Sequence, residues 1–197
     1  MTGSPMNRQL RTLTFIFASF LLLSCSSEDQ TAAKNAAAEA TPVEAAPAPK
    51  SSLLADLPFN DDPDNNTFQT LDGRGFDIEL FAGKKVFVNF WATWCAPCIR
   101  EIPSINRAAK SLEDENYLFL FVSDEDKETI NNFLDERGFQ GNFIKLNGYF
   151  GNFGIGAVPS SWLLDENGDI QATWAGAFEW DSEEMLEEIR NPKTVGI

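Results

Sequence analysis

An α/β domain with a central mixed sheet flanked by helices is the fold class that residues from about 53 onward predict, and three observations predict it. Two short runs, residues 86–90 and 117–122, are almost wholly apolar, as strands buried on both faces are. The first run leads through Trp91-Ala92-Thr93-Trp94 into Cys95-Ala96-Pro97-Cys98, after which apolar residues recur at helical spacing. Near the C-terminus, two further apolar-rich runs flank Asp165-Glu166-Asn167-Gly168-Asp169, whose Asn-Gly pair is a hairpin signal. Parallel strands joined by helices and closed by an antiparallel hairpin make a mixed sheet.

Taken in order, the elements begin with a targeting segment. Arg8 and Arg11 precede an apolar stretch over 13–23, and Ser24 is the small residue before Cys25. A bilayer span needs about 20 apolar residues, so 1–24 reads as a signal peptide, with an uncleaved anchor as the alternative. Residues 25–52 are rich in Ala, Pro, Glu, Ser and Thr, cannot bury a face and read as an extended tether. The domain proper is assigned to 53–197. An N-terminal hairpin is expected from strands 67–71 and 76–80 around Asp72-Gly73. After the strand at 86–90, Ile99, Ile102, Ile105, Ala109 and Leu112 form one side of a helix containing Pro103, which removes an intrahelical bond. Beyond the strand at 117–122, residues 129–137 read as a helix ended by Gly138. A strand at 143–146 and hairpin strands at 161–164 and 170–174 follow, then a helix over 182–190. Phe150, Phe153 and Trp162 are assigned to the core, and Asp124-Glu125-Asp126 to a solvated helix start.

Composition narrows the function. The chain has 197 residues, 30 acidic against 15 basic, a net charge of −15 and no histidine. All the acidic residues lie after Ser27. So acidic a body repels nucleic acid and anionic headgroups. Without histidine, Ser-His and Cys-His catalysis within the chain are excluded. The lone C-x-x-C has no second pair or histidine to complete a zinc tetrad, so no metal site is expected.

Two thiols at a helix start are the sequence form of a thiol-disulfide redox site. At the cap position the Cys95 sulfur meets unsatisfied first-turn amides and the positive end of the helix dipole, which favours thiolate. Cys98 lies one turn further in, and Pro97 suits a first turn where a missing N–H costs little. A structural disulfide, or half of a metal site, is the plainer reading of the same pair.

On the string Asn89-Phe90-Trp91-Ala92-Thr93-Trp94-Cys95-Ala96-Pro97-Cys98, and on Gly156-Ala157-Val158-Pro159, the chain resembles the thioredoxin superfamily over residues 57–190. It is most similar to the membrane-tethered bacterial reductases of the TlpA/ResA type. That resemblance implies a thioredoxin-like fold with a central insertion between Val122 and Pro159, and a cis Pro159 facing the cysteines. It implies that Cys95 attacks a partner disulfide and Cys98 resolves it, with no cofactor beyond the Cys95–Cys98 disulfide. Cys95, Cys98, Glu101 and Pro103 match the family's C-x-x-C-x-x-E-x-P pattern, in which the glutamate tunes the thiols. Asn89 stands where common thioredoxins carry a buried aspartate. Trp94, Ala96, Pro97, Val158 and Pro159 would receive an extended polypeptide. Leu22-Leu23-Ser24-Cys25 resembles a lipoprotein cleavage box, which implies a lipid on Cys25 and a monomer tethered to a membrane of the cell envelope, facing the periplasm. The implied partners are cysteine-containing envelope proteins, apocytochrome c among them, and a membrane thiol donor. A general envelope disulfide oxidase or isomerase is the alternative, and a non-catalytic or copper-handling lipoprotein a more distant one.

Overall fold

Alternation along one strand sets up the architecture. In β3 (Lys85–Phe90), Phe87 and the following Trp91 enter one apolar cluster, while Val86, Val88 and Phe90 enter another, because successive side chains point to opposite faces of a sheet. The computed structural model describes residues 57–193. The signal peptide expected over 1–24, the lipidation expected at Cys25 and the tether expected to residue 52 all fall outside the described residues.

Around β3 the sheet comprises β1 (Phe68–Thr70), β2 (Gly75–Phe76), β4 (Tyr117–Ser123), β5 (Phe143–Leu146), β6 (Ser160–Leu164) and β7 (Ile170–Ala175). Its seven strands run in the order β2-β1-β5-β4-β3-β6-β7. β4 is parallel to β3 and β5, whereas β6 is antiparallel to β3 and β7, which makes the sheet mixed. This is the thioredoxin-like architecture expected.

Among the described residues the α-helices are α1 (Ala96–Ser111), α2 (Lys127–Arg137) and α3 (Glu183–Arg190). All three pack on the face that carries Phe87 and Trp91, contributing Ile102, Ile105, Ala108, Ile130 and Ile189 to one buried cluster. α2 starts at Lys127 rather than at the expected 129 because Asp126 caps it, its carboxylate accepting the Thr129 N–H at 2.8 Å. Gly138 ends it at φ 68°, the left-handed conformation that a residue without Cβ adopts freely. Ser182 caps α3 in the same manner, accepting from Met185.

The opposite face is covered by 3₁₀ turns, Ile78–Phe81 and Phe150–Phe153, and among the described residues no α-helix contributes to its cluster. Three expectations change here. The second hairpin strand stops at Phe76 instead of 80, because the Asp77 carboxylate takes the Thr67 N–H at 2.7 Å and the chain turns to bury Phe81. β1 then finds a further partner in β5. Phe150 is buried as expected, but Trp162 is half-buried and Phe153 is 37% exposed. Both border a cavity of about 440 Å³ lined also by Phe68, Val88, Phe90 and Leu146. Among the described residues, no helix is long and apolar enough to cross a membrane.

Candidate functional site

Where β3 ends, parallel to β4, the chain leaves the sheet through Trp91, whose N–H still bonds to Val122 O at 3.0 Å. The connecting loop is held by a residue that sequence reasoning assigned to solvent. Glu125, half-buried, accepts the Thr93 N–H and hydroxyl, both at 2.7 Å, and the Ser123 hydroxyl at 3.0 Å. Asp124 is likewise engaged, accepting the Phe150 N–H at 3.2 Å. Of the run 124–126, only Asp126 matches the expected solvated helix start. Thr93 and Glu125 follow adjacent parallel strands at the same end, where loops of such sheets converge, and that proximity was the available signal.

The loop delivers Cys95 to the N-cap of α1 in an extended conformation, with Pro97 in the first turn. Cys95 and Cys98 are joined as a disulfide, their Cα atoms 5.3 Å apart, and the Cys98 N–H points to the Cys95 sulfur at 3.3 Å. Cys98 is fully buried and Cys95 is 4% exposed. Around them, Trp94 is 73% exposed, and Ala96 and Pro97 are also open to solvent. The first turn is therefore an apolar rim around a nearly sealed sulfur pair.

The segment that leads into β6 reaches the same end of the sheet. Because Ser160 pairs with Phe90, the preceding Val158-Pro159 lies at the same end of the sheet as the cysteine loop. The Val158–Pro159 peptide is cis. Val158 packs against the cluster that includes both cysteines, and Pro159 O accepts the Gly176 N–H at 2.9 Å. Trp94, Ala96, Pro97, Val158 and Pro159 are thus gathered at one end of the sheet. Cys25 lies outside the described residues.

Beneath the cysteines, α1 continues through Pro103 and carries Glu101 one turn after Cys98. The sequence places Glu101 at the edge of the apolar stripe, but the side chain is only 3% exposed. Its Oε1 accepts Asn89 Nδ2 at 2.8 Å, and its Oε2 accepts Trp180 Nε1 at 3.0 Å and the Phe178 N–H at 3.2 Å. Burial pushes the Glu101 carboxyl up from its ordinary value, against the pull of the Trp180, Asn89 and Phe178 donors. Asn89, fully buried, also donates to Ser161 Oγ at 3.0 Å, directly across the β3–β6 ladder. Trp180 is a participant that the sequence reading did not find. A tryptophan between Glu179 and Asp181 carried a weak signal, since a buried indole N–H seeks an acceptor.

Chemically, the arrangement offers two sulfurs able to exchange with an outside disulfide and one buried carboxyl able to take up a proton. Among the described residues no group of three or more His, Cys, Asp or Glu side chains is placed to hold a metal.

Known proteins resemble this chain. The Redoxin family model matches residues 45–189. The thiol-disulfide oxidoreductase ResA of Bacillus thuringiensis is 31% identical over 103 residues, covering 51% of this chain and 60% of that protein. ResA of Geobacillus thermodenitrificans is 30% identical over 124 residues, covering 61% and 71%. This chain thus spans about three-fifths of the length of the first of these relatives. Among solved structures, StoA from Bacillus subtilis aligns with a TM-score of 0.52 at 21% identity, covering 64% of this chain and 95% of StoA. A thiol:disulfide interchange protein from Bacteroides aligns with a TM-score of 0.55 at 22% identity, covering 65% and 88%. The likeness to these two structures is one of fold.

Proposed function

This chain belongs to the Redoxin family, on the ResA-like branch of the thioredoxin superfamily, and from that premise we propose that it is an exported, membrane-tethered thiol-disulfide oxidoreductase. Its direction is reductive, and its clients are cysteine-containing proteins of the cell envelope, with apocytochrome c foremost. The observation that carries the reading is the disulfide-bonded Cys95–Cys98 pair at the α1 N-terminus, ringed by exposed apolar residues.

In the reduced protein the Cys95 thiolate attacks a client disulfide, forming a mixed disulfide and releasing one client sulfur. Cys98 gives its proton to Glu101, attacks the Cys95 sulfur and releases the second client sulfur. Two electrons pass to the client, and the Cys95–Cys98 disulfide is left behind. A membrane-bound dithiol donor then restores the two thiols. Trp94, Pro97 and the Val158-Pro159 segment hold the client backbone in an extended form. The apolar stretch before Cys25 and the Pro-rich segment after it support export and tethering.

Insulin-disulfide reduction by the full chain, with dithiothreitol as donor, tests the activity. The wild type should accelerate it, the Cys95→Ala variant should be inactive, and the Cys98→Ala variant should accumulate a mixed disulfide. Absence of acceleration by the wild type would leave a static disulfide. Trapping confined to Cys95→Ala would reverse the roles of the two sulfurs. A redox potential near that of strongly oxidising DsbA, about −120 mV, would reverse the direction.

A further inference from the structure

Three residues one turn apart on α1 grip the segment 178–181, which joins β7 to α3. Glu101 takes the Phe178 N–H and the Trp180 indole N–H, Ser104 Oγ accepts the Trp180 N–H at 3.2 Å, and Arg107 pairs with Glu179 at 2.7 Å and with Asp181. The Trp180 ring is fully buried, packed edge-on against Phe87, Trp174 and Phe178. Its N–H is therefore aimed by the core and by the Ser104 bond, with little freedom to leave Glu101.

The two oxygens of that carboxylate are unequally engaged. Each can accept about two hydrogen bonds. Oε2 already takes two, from Trp180 and Phe178, whereas Oε1 takes only Asn89 Nδ2. We propose that Trp180 is a positioning residue for disulfide exchange: together with the Phe178 N–H it saturates Oε2, so that the proton leaving Cys98 is taken up at Oε1. The proposal rests on the reading of Glu101 as the proton acceptor given above.

The polar surroundings suit a proton at that atom. Asn89 Oδ1 is buried and has no hydrogen-bond partner. Rotation of the Asn89 amide would present Oδ1 to a protonated Oε1, and the Ser161 hydroxyl, able to donate or accept, serves either orientation. The groups bonded to the carboxyl are Asn89 on β3 and Phe178 and Trp180 on the 178–181 segment, with Ser161 on β6 behind Asn89 and Cys98 one turn earlier on the same helix. Of the charged residues on these elements, Arg107 is engaged with Glu179 and Asp181, Lys110 with Glu113, Lys85 lies over the Tyr117 ring, and Arg100 is exposed. Atoms and electrons balance: the Cys98 S–H breaks and its proton goes to Oε1, the Cys98 sulfur bonds to Cys95 as the Cys95–client bond breaks, and the client thiolate takes a proton from solvent. Glu101 then returns its proton to solvent.

The test is the single-turnover rate of insulin-disulfide reduction by the reduced full chain, followed against pH. The wild-type rate should rise with pH through a limb that Glu101→Gln removes. Trp180→Phe keeps a ring but loses a donor that favours the carboxylate. Its limb should move to higher pH, with a loss of about tenfold on the acid side and recovery on the alkaline side. Ser104→Ala, which frees the Trp180 backbone without changing the ring, should shift the limb in the same direction by less. Trp174→Phe, which disturbs a ring against the same indole but does not touch Glu101, should leave the limb in place. An unmoved limb in both Trp180→Phe and Ser104→Ala, or an equal loss at every pH, overturns the role of Trp180 while Glu101 keeps its own. A limb that survives Glu101→Gln overturns the Glu101 reading itself.

Discussion

The two faces of the sheet are finished in different ways. The helix-covered face holds a buried polar network of Asn89, Glu101, Ser104 and Ser161 beneath the cysteines. The turn-covered face is built on Phe, Val, Leu and Ile, closed by 3₁₀ turns, and contains a cavity of about 440 Å³. β3 serves both, with Asn89 turned to one side and Val88 and Phe90 to the other. The contrast shows where precision is spent. A buried polar group needs each partner in place, whereas an apolar layer tolerates an approximate fit.

Substitutions on the two faces can break or sharpen that contrast. Phe87→Ala, at a fully buried ring touching Phe119 and Trp180, should cost about 3–5 kcal/mol in urea unfolding. A loss near 1 kcal/mol would mean that the helix face is no tighter than the other. Enlarging side chains should separate the faces by sign. Ala108→Val, in the closed helix face, should cost about 1–3 kcal/mol, while Val88→Ile, beside the cavity, should be neutral or stabilise by up to about 1 kcal/mol.

Glu101 gives the polar network a pH signature. Its folded-state carboxyl is held above its ordinary value by burial, so the folded protein keeps this proton longer than the unfolded chain does. The unfolded state then binds fewer protons in that window, and stability falls as pH rises from the ordinary carboxylate range through the raised folded value. Glu101→Gln should abolish that fall and be the more stable variant at neutral pH. Parallel urea midpoints for both proteins across the window would disprove it. The smallest effect is expected at the surface clamp. Arg107→Ala removes a pair to the exposed Glu179 and one to the half-buried Asp181, and should cost about 1 kcal/mol, with the loss reduced by salt.

Much of this was legible in the residues. Residues 86–90 and 117–122 read as central strands because both their faces are buried, which leaves a continuous apolar run, and they are β3 and most of β4. The helix after Cys95 and the hairpin at Asn167-Gly168 were readable because caps, turns and periodicity are local. The second N-terminal strand was misjudged because Phe76, Ile78 and Leu80 alternate correctly, while Phe81 and the Asp77–Thr67 bond decide the turn from outside that window. Glu125 was assigned to solvent because its partner Thr93 lies 32 residues away.

By itself the sequence determined the acidic, histidine-free composition, the alternation that gives β3 two faces, and a C-x-x-C placed where a strand gives way to a helix. These follow from residue identity and short-range spacing, so one chain suffices to read them. Only the tertiary structure decided that Glu101 is buried rather than at the edge of a stripe, that its carboxyl meets Asn89 from β3 and Trp180 from 79 residues further on, and that all three helices share one face. The physical reason is that a carboxyl's proton affinity is set by what surrounds it in space. Donors brought together from distant parts of the chain leave no periodic trace in the order of residues.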